Sequence, residues 1–378
     1  MRKITIAEIL SLAEYKIRPV ITKLPPSIVT NIYSPARKVF IKILTRETRD
    51  RRYIPPETES KTLWGINFQS GIFNAAGMFK HGDGYNTVAM QGAGAYLAGT
   101  STGAYRRGNE ARGILHPFVP YPLSGSASNW MGLPNEGHYS LAKKLSKIDK
   151  IDGCPVGISI AASPELSETA AMKEVLGGLF LYKKAGVDFI ELNESCPNVP
   201  HGNQYSNTTL DENLINRLEY IGKNFIEKPN RMPPVIVKLS NDTDINLIPS
   251  LLDVLTGLGF SGVNFGNTST EYENYINNIV PGERRLYNYF TSNFGGGLSG
   301  KILKKRSLEL ASYAAEYIES HSQANEFYVI RTGGIESIKD IRQSEEAGIT
   351  LNQWFTGYFE SFAKHGHSIY KHLFSKCN

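Results

Sequence analysis

The sequence predicts an α/β protein built as a (β/α)₈ barrel with an N-terminal helical extension. From Leu63 onwards, short apolar runs alternate with stretches of helical periodicity, a pattern typical of a parallel sheet covered by helices. Gly, Asn and other polar residues follow these runs, where a barrel builds its functional rim. A chain of 378 residues accommodates one barrel of about 250 residues with appendages. We therefore expect residues 1–60 to form a helical extension and linker, and residues 61–378 to form the barrel.

The elements of the barrel follow in chain order. Strands are expected at residues 95–97, 156–160, 189–192, 235–239, 262–265 and 327–330, with another strand just before Phe355. Helices are expected between several of them, at residues 168–184, 210–225, 248–258 and 303–320.

Composition excludes several classes of protein. Gly and Pro usage is ordinary and 41% of the residues are hydrophobic, so a disordered or collagen-like chain is excluded. No apolar run approaches the ~18 residues of a membrane-spanning helix, and residues 1–20 lack a signal-peptide pattern. Cys154, Cys196 and Cys377 are widely spaced, which indicates a reducing compartment. We expect a cytoplasmic protein, peripheral on the inner membrane if the extension binds lipid, and no metal site.

The first 52 residues form a basic arm. They contain twelve Lys or Arg and four Asp or Glu, a net charge of +8, so the remainder carries −3 of the total of +5. Helical periodicity predicts one amphipathic helix through Ile6 to Ile17 and a second that begins with Ser34 as N-cap and Pro35 as first helical residue. Packing on the barrel and contact with an anionic membrane surface are both open, whereas nucleic acid is not expected as a partner.

Polar residues that could carry chemistry follow the strands. The segment 191–198 (Glu-Leu-Asn-Glu-Ser-Cys-Pro-Asn) places amides around Cys196. A lone cysteine is ordinarily a small buried hydrophobe, but these neighbours favour a thiol tuned to act as a base. Lys238 lies inside an apolar strand, where it needs a negative partner, either a bound anion or a core carboxylate. Further amides and hydroxyls stand at Asn129, Asn135, Asn267 and Thr268.

Glycine-rich turns supply a candidate phosphate site. Thr332-Gly-Gly334 and Phe355-Thr-Gly357 follow the last two strands, and Gly300 precedes them. Each triplet alone is also compatible with a plain turn, but successive late loops of a barrel commonly bind phosphate through backbone N–H groups. The segment 74–80 offers small residues that a flat ring could approach, with Lys80 nearby.

Together these segments resemble the dihydroorotate dehydrogenase family of FMN barrels, from about Leu63 to Phe374. The most specific matches are 191–200, 129–135 and 296–301. The resemblance implies oxidation of (S)-dihydroorotate to orotate, with transfer of the C6 hydride to FMN, in pyrimidine biosynthesis. It implies that Cys196 is the base that removes the C5 proton. It implies substrate contacts at Lys80, Asn129, Leu133, Asn193, Asn198, Asn267 and Thr268, and FMN contacts at Ala76, Gly77, Thr100, Asn193, Lys238, Gly300, Gly334, Phe355 and Thr356.

The sequence combines features of two branches of that family. The cysteine base is similar to the soluble branch, which uses fumarate, but that branch has a lysine where Gly99 stands. The membrane-associated branch, which uses quinone, has a lysine matching Lys80 and an N-terminal helical extension. The basic arm favours quinone as the electron acceptor, with fumarate or NAD as alternatives.

Other departures leave two further functions open. Glu194 replaces an apolar residue and Arg331 a glycine, and residues 271–293, rich in Tyr and Asn, are expected to form a lid. Glu194 and this segment motivate the alternative of an FMN barrel acting on a different dihydropyrimidine or an enone. A non-catalytic ligand-binding barrel is the third hypothesis.

Overall fold

The computed structural model of the protein describes residues 4–47, 51–194, 210–228, 232–321 and 326–375. Its strands, in chain order, are β1 (Lys61–Leu63), β2 (Ile66–Phe68), β3 (Ile72–Asn74), β4 (Tyr96–Ser101), β5 (Tyr105–Arg106), β6 (Glu110–Ala111), β7 (Ile114–Leu115), β8 (Phe118–Tyr121), β9 (Ser126–Asn129), β10 (Asn135–Glu136), β11 (Val156–Ile160), β12 (Phe189–Asn193), β13 (Val235–Ser240), β14 (Gly262–Asn267), β15 (Gly297–Gly300), β16 (Tyr328–Thr332) and β17 (Leu351–Trp354).

The helices surround these strands. They are α1 (Ile6–Ile21), α2 (Pro26–Leu44), α3 (Tyr85–Gln91), α4 (His138–Leu145), α5 (Glu168–Ala185), α6 (Glu212–Ile221), α7 (Ile248–Gly257), α8 (Tyr272–Tyr275), α9 (Arg284–Asn293), α10 (Lys304–His321), α11 (Ile338–Glu346), α12 (Thr356–His365) and α13 (Ile369–Phe374). A π-helical turn, Gly222–Ile226, follows α6. The described helices include none long and apolar enough to cross a membrane.

Eight parallel strands form the barrel, in the order β3-β17-β16-β14-β13-β12-β11-β4. The side chain of Asn74 brings the two end strands together, because its Nδ2 donates to the Leu97 carbonyl (2.7 Å) and its Oδ1 accepts from the Leu97 N–H (3.2 Å). The interior is packed with apolar side chains, and the β1–β2 hairpin covers its N-terminal end with Leu63, Trp64 and Phe68. The predicted (β/α)₈ architecture is therefore confirmed, and the opposite, C-terminal end remains for chemistry.

The beginning of α2 differs from the prediction. The helix starts at Pro26 and continues through Pro35, so Ser34 is not an N-cap. The Ser34 hydroxyl instead donates to the Thr30 carbonyl (2.7 Å) and accepts from the Phe118 N–H (3.0 Å). Tertiary packing against β8 outweighs the local helix-start signal, since Val29 and Tyr33 are buried in the same cluster as Val119 and Tyr121.

Residues 271–293 were expected to form a lid, but they pack as a helical insertion. Ile279, Leu286, Tyr287 and Phe290 are buried in a second apolar cluster with β8, β9 and α2. The insertion is also fixed by the buried Glu283 carboxylate, which accepts from the N–H groups of residues 123 and 124 (2.8 and 3.0 Å) and from the Ser124 hydroxyl (2.6 Å). The segment therefore supports α2 instead of covering the site.

Candidate active site

A pocket opens at the C-terminal end of the barrel. It encloses about 980 Å³ of empty space, part of which is open to solvent. The residues that the family resemblance implies, as far as the structure describes them, all lie on its wall: Ala76, Gly77, Lys80, Thr100, Asn129, Leu133, Asn193, Lys238, Asn267, Thr268, Gly300, Gly334, Phe355 and Thr356. Asn135 does not line the pocket; its Nδ2 donates to Thr102 Oγ1 (2.9 Å). Cys196 and Asn198 lie outside the described residues.

Amides and hydroxyls at the ends of neighbouring strands form a connected chain. Asn267 Nδ2 donates to Asn193 Oδ1 (2.8 Å), and Asn193 Nδ2 donates to Thr100 Oγ1 (3.1 Å). The Asn129 amide stands across the mouth, at the end of β9. Thr268 Oγ1 is buried and has no hydrogen-bond partner in the described part of the chain. Such a set of donors and acceptors suits a planar ligand with alternating N–H and C=O edges.

Lys238 has a carboxylate partner inside the barrel. Its Nζ lies 3.5 Å from Glu191 Oε1 and donates to Gln353 Oε1 (3.2 Å). Of the two partners considered for Lys238, a bound anion or a core carboxylate, the structure shows the carboxylate. The lysine also lines the pocket. Sequence reasoning missed Glu191 and Gln353 as members of this site. For Glu191 the available signal was the same as for Lys238, a charged residue within an apolar run of a barrel strand. For Gln353 it was the pair of amides Asn352 and Gln353 on a buried strand.

Three loops converge where the phosphate site was predicted. At Gly334, whose φ is +71°, a Cβ would lie 2.7 Å from the Lys304 Cα; at Gly300, whose φ is +99°, it would lie 2.5 Å from the Gly125 carbonyl oxygen. Glycine is required at both positions for the backbones to approach this closely. The first turn of α12 begins at Thr356 beside them. Backbone N–H groups of such a loop and helix N-terminus suit a phosphate.

Lys80 places a positive charge at the pocket wall. Position 99, where the soluble branch of the family has a lysine, is a glycine in this chain. Any Cβ on Gly99, whose φ is +94°, would collide with the Ser159 carbonyl oxygen. A lysine therefore does not fit there without a change of backbone. Lys80 is partly exposed, and its Nζ lies 3.5 Å from the position that a Cβ on Gly77 would occupy.

The two unusual residues point away from the pocket. Glu194 is ion-paired with Arg217 of α6 (3.0 Å). Arg331 is buried between the barrel and its helices, where it donates to Ser307 Oγ (3.1 Å) and the Lys304 carbonyl (2.9 Å). Burial lowers the pKa of Arg331 to about 10. Neither residue is among the described residues that line the pocket.

The donor set fits FMN. A wall of small residues (Ala75, Ala76 and Gly77), the glycine-dependent convergence of loops, and the cation of Lys238 are all on one pocket. They correspond to the three parts of the cofactor, a flat ring, a phosphate and a ring edge that becomes negatively charged on reduction. Among the described residues, no group of three or more His, Cys, Asp and Glu could hold a metal ion.

A second, largely apolar cavity joins the arm to this pocket. It encloses about 1490 Å³, part of it open to solvent, between α1, α2 and the barrel. Phe118, Phe355 and Thr356 line both cavities, so the two meet at these residues. On its wall Arg18 is paired with Glu14 and Glu360 (2.6 Å each). An apolar cavity beside the pocket suits an apolar ligand.

The chain is similar to known proteins in sequence and in fold. The family model described as dihydroorotate dehydrogenase matches residues 59–376. A curated relative from Trichodesmium erythraeum, named dihydroorotate dehydrogenase (quinone), is 27% identical over 315 residues, covering 82% of this chain and 78% of that protein. One of the same name from Christiangramia forsetii is 25% identical, covering 90% and 93%. The crystal structure of Eimeria tenella DHODH in complex with ferulenol has a TM-score of 0.73 at 18% identity, covering 90% and 89%, and shows the shared fold.

Proposed function

The chain belongs to the dihydroorotate dehydrogenase family, and from this premise we propose that it oxidises (S)-dihydroorotate to orotate in pyrimidine biosynthesis. The family match extends over residues 59–376. The observation that carries the proposal is the single pocket that gathers the amide chain, two lysines and the glycine-dependent loops. FMN is the cofactor, and a quinone, as in the names of the curated relatives, is the acceptor.

FMN supplies the electron chemistry: when bound, it takes the hydride from C6 of the substrate and later returns both electrons to the acceptor. The residues of this chain do the rest. Backbone N–H groups around Gly334 and at the start of α12 would hold the phosphate, and Ala76 and Gly77 would lie against the ring. Lys238 would stabilise negative charge that develops on the ring.

The substrate would be held by the amides and hydroxyls of the rim. Asn129, Asn193, Asn267 and Thr268 present donors and acceptors to a planar ring with a carboxylate. Lys80 would attract that carboxylate. By resemblance to the family, the thiolate of Cys196 would remove the C5 proton and the C6 hydride would pass to FMN. The substrate would thus lose one proton and one hydride, which together are two hydrogens and two electrons, and the C5–C6 double bond would form.

The apolar cavity would carry the quinone to the pocket, and the arm would rest on a membrane surface. Ile9, Ile17 and Val20 of α1 are more than half exposed, and the buried side of this helix is instead formed by Ala7, Glu8 and Ser11. Exposed apolar side chains interspersed with basic ones suit the interface of an anionic membrane. This placement would bring a membrane-dissolved quinone to the open end of the cavity. We propose a peripheral location on that basis.

The test is the visible spectrum of the purified protein, recorded anaerobically before and after addition of L-dihydroorotate. We expect a bound-flavin band that bleaches with substrate and returns on addition of a short-chain quinone. Fumarate and NAD, added in separate samples, are expected not to restore it. Glu194→Gln is the matched control: because Glu194 faces Arg217, it should bleach at the wild-type rate.

Two outcomes would contradict the proposal. A colourless protein that cannot take up FMN would favour the non-catalytic barrel. A flavin band that does not respond to dihydroorotate would favour another substrate, although Glu194 and residues 271–293, which motivated that alternative, do not form part of the described pocket.

A further inference from the structure

Five neighbouring barrel strands each contribute one buried polar side chain to a network at the pocket, and three of the five line it. They are Glu191 on β12, Lys238 on β13, Asn264 on β14, Thr332 on β16 and Gln353 on β17, all at most 7% exposed. Thr332 Oγ1 donates to Asn264 Oδ1 (2.9 Å) and contacts Gln353 Oε1 (3.1 Å). Lys238 Nζ donates to that same Gln353 oxygen. The side chains thus form one connected network around a single ion pair.

The two oxygens of Glu191 have different surroundings. Oε2 accepts from Asn264 Nδ2 (2.9 Å) and Gln353 Nε2 (2.8 Å), which fixes the carboxylate in place. Oε1 is buried and, in the described part of the chain, makes no hydrogen bond; its neighbour is Lys238 Nζ at 3.5 Å, at the distance of an ion pair. One oxygen therefore positions the carboxylate and the other faces the ammonium group.

Stability alone does not explain this pair. Two charges removed from water cost more than a packed apolar pair of the same volume, and replacing such pairs is often neutral or stabilising. Lys238 lines the pocket, whereas Glu191 is not among its lining residues and lies on the far side of the lysine. A negative charge placed there lowers the positive potential that Lys238 creates in the pocket.

We propose that Glu191 is a positioning residue that holds the Lys238 ammonium group and offsets its charge, and so sets the reduction potential of the bound flavin. The inference rests on the proposed function, since it concerns FMN in this pocket. Reduction adds negative charge to the ring, which a cation stabilises. The negative charge of Glu191 makes the stabilisation of the reduced flavin weaker than Lys238 alone would provide.

The experiment measures the midpoint potential of the bound flavin in the purified holoenzyme by anaerobic equilibration with reference dyes at pH 6.0, well below the ordinary range of lysine. Wild type, Glu191→Gln and Glu191→Asp are compared. We expect Glu191→Gln to raise the equilibrium constant for flavin reduction at least tenfold, which is about 30 mV for a two-electron couple. Glu191→Asp keeps the charge, so its potential should lie closer to that of the wild type.

Flavin content and thermal unfolding of each variant report whether it is folded and loaded. If Glu191→Gln does not fold, the comparison is made between Lys238→Met and Lys238→Met with Glu191→Gln, where removing the carboxylate should again make the potential more positive. A potential that is unchanged or more negative without Glu191, or that moves equally in the Asp and Gln variants, overturns the inference. A wild-type flavin that dihydroorotate does not reduce would instead overturn the proposed substrate, and the potentials would still test Glu191.

Discussion

At the scale of single residues, the surroundings of a thiol decide whether it can serve as a base. Cys154 is completely buried, and burial raises its pKa to about 12, so it stays protonated at neutral pH. Cys196 stands in a segment of amides and hydroxyls that follows β12. In the sequence, the neighbours of Cys196 are residues of the kind that favours a thiolate.

We expect Cys196→Ala to retain FMN and to slow its reduction by dihydroorotate about 10²–10⁴-fold near neutral pH, the usual contribution of a well-placed base. Anaerobic stopped-flow absorbance of the flavin measures this rate. Cys154→Ala is the matched control and should reduce at the wild-type rate. Equal rates in Cys196→Ala and wild type would remove Cys196 from the mechanism.

His138 should make the protein sensitive to acid. Its Nε2 is buried without a hydrogen-bond partner in the described structure, and its Nδ1 lies 3.0 Å from Ser101 Oγ. Burial lowers the pKa of His138 to about 4, below the ~6.5 of an unfolded chain. The unfolded state therefore binds the extra proton first, and the stability that His138 contributes above pH 6.5 is lost as the pH falls towards 4.

The size of this effect is on the order of 3 kcal/mol, since each pKa unit is worth about 1.4 kcal/mol. Chemical denaturation between pH 7 and 4 should show a shallower loss of stability in His138→Gln than in wild type. His321→Gln, at an exposed position on α10, should keep the wild-type slope. If the slope in His138→Gln is also that of the wild type, His138 is not the group responsible.

At the scale of elements, hydrogen bonds among Glu8, Glu47 and His367, here called the clasp, connect α1 to the turn after α12. The His367 N–H donates to Glu8 Oε1 (3.0 Å), and the His367 ring contacts Glu47 Oε2 (3.1 Å). Glu47 also accepts from the N–H of Ala7 (2.8 Å). The two ends of the chain are thus held together at one buried point, next to Gly366, whose φ is +54°.

We expect Gly366→Ala to loosen the arm, because its Cβ would overlap the Glu8 carboxylate and the backbone there is in the left-handed region. The cost should be about 1–3 kcal/mol. Limited proteolysis should cut the arm faster, and quinone turnover should fall while flavin reduction stays unchanged. Gly177→Ala, where no atom lies within 4 Å of the new Cβ, is the control. Resistance to proteolysis equal to that of wild type would show that the clasp does not fasten α1.

At the scale of the whole molecule, the barrel provides the pocket and the arm provides the outer wall of the apolar cavity. Removing residues 1–52 entirely would expose Val119 and Tyr121 of β8, which are buried in the same cluster as Val29 and Tyr33 of α2, so loss of function would be ambiguous. Point changes on the exposed face of α1 separate membrane contact from packing. Ile9 and Ile17 are 57% and 51% exposed.

We expect the double variant Ile9→Glu, Ile17→Glu to bind vesicles of anionic phospholipid at least tenfold more weakly, because burying each isoleucine is worth roughly 1.5–3 kcal/mol and 1.4 kcal/mol is tenfold in affinity. Flavin reduction by dihydroorotate should not change. Co-sedimentation with vesicles measures the binding. Tyr139→Glu, at a 71% exposed site on α4, is the matched control, and equal loss of binding in both proteins would contradict membrane contact through α1.

Local sequence signals were sufficient for seven of the eight barrel strands, whereas β3 (Ile72–Asn74) was not predicted. The strand at residues 156–160 was predicted to its ends, and those at 189–192 and 235–239 each extend by one residue, because a buried parallel strand reads as a continuous apolar run. The start of α2 was not predictable in this way. Its N-terminus is set by contacts with β8 and the insertion, which lie far along the chain.

Apolar periodicity and the residues that follow each strand are local properties, so the amino-acid sequence alone predicts the barrel and its functional rim. The full set of pocket residues was implied by the resemblance of its motifs to a family. Which polar groups meet depends on tertiary contacts. Glu191 and Lys238 are 47 residues apart, and Lys238 and Gln353 are 115 apart; closure of the barrel brings them into contact. Likewise, the sequence predicts an apolar face on α1. The structure buries the opposite side of the helix, with Ala7, Glu8 and Ser11, so the apolar face stays exposed. Local sequence periodicity specifies a helix or a strand and its apolar face. Contacts between elements that are distant in the chain determine which residues pack against that face.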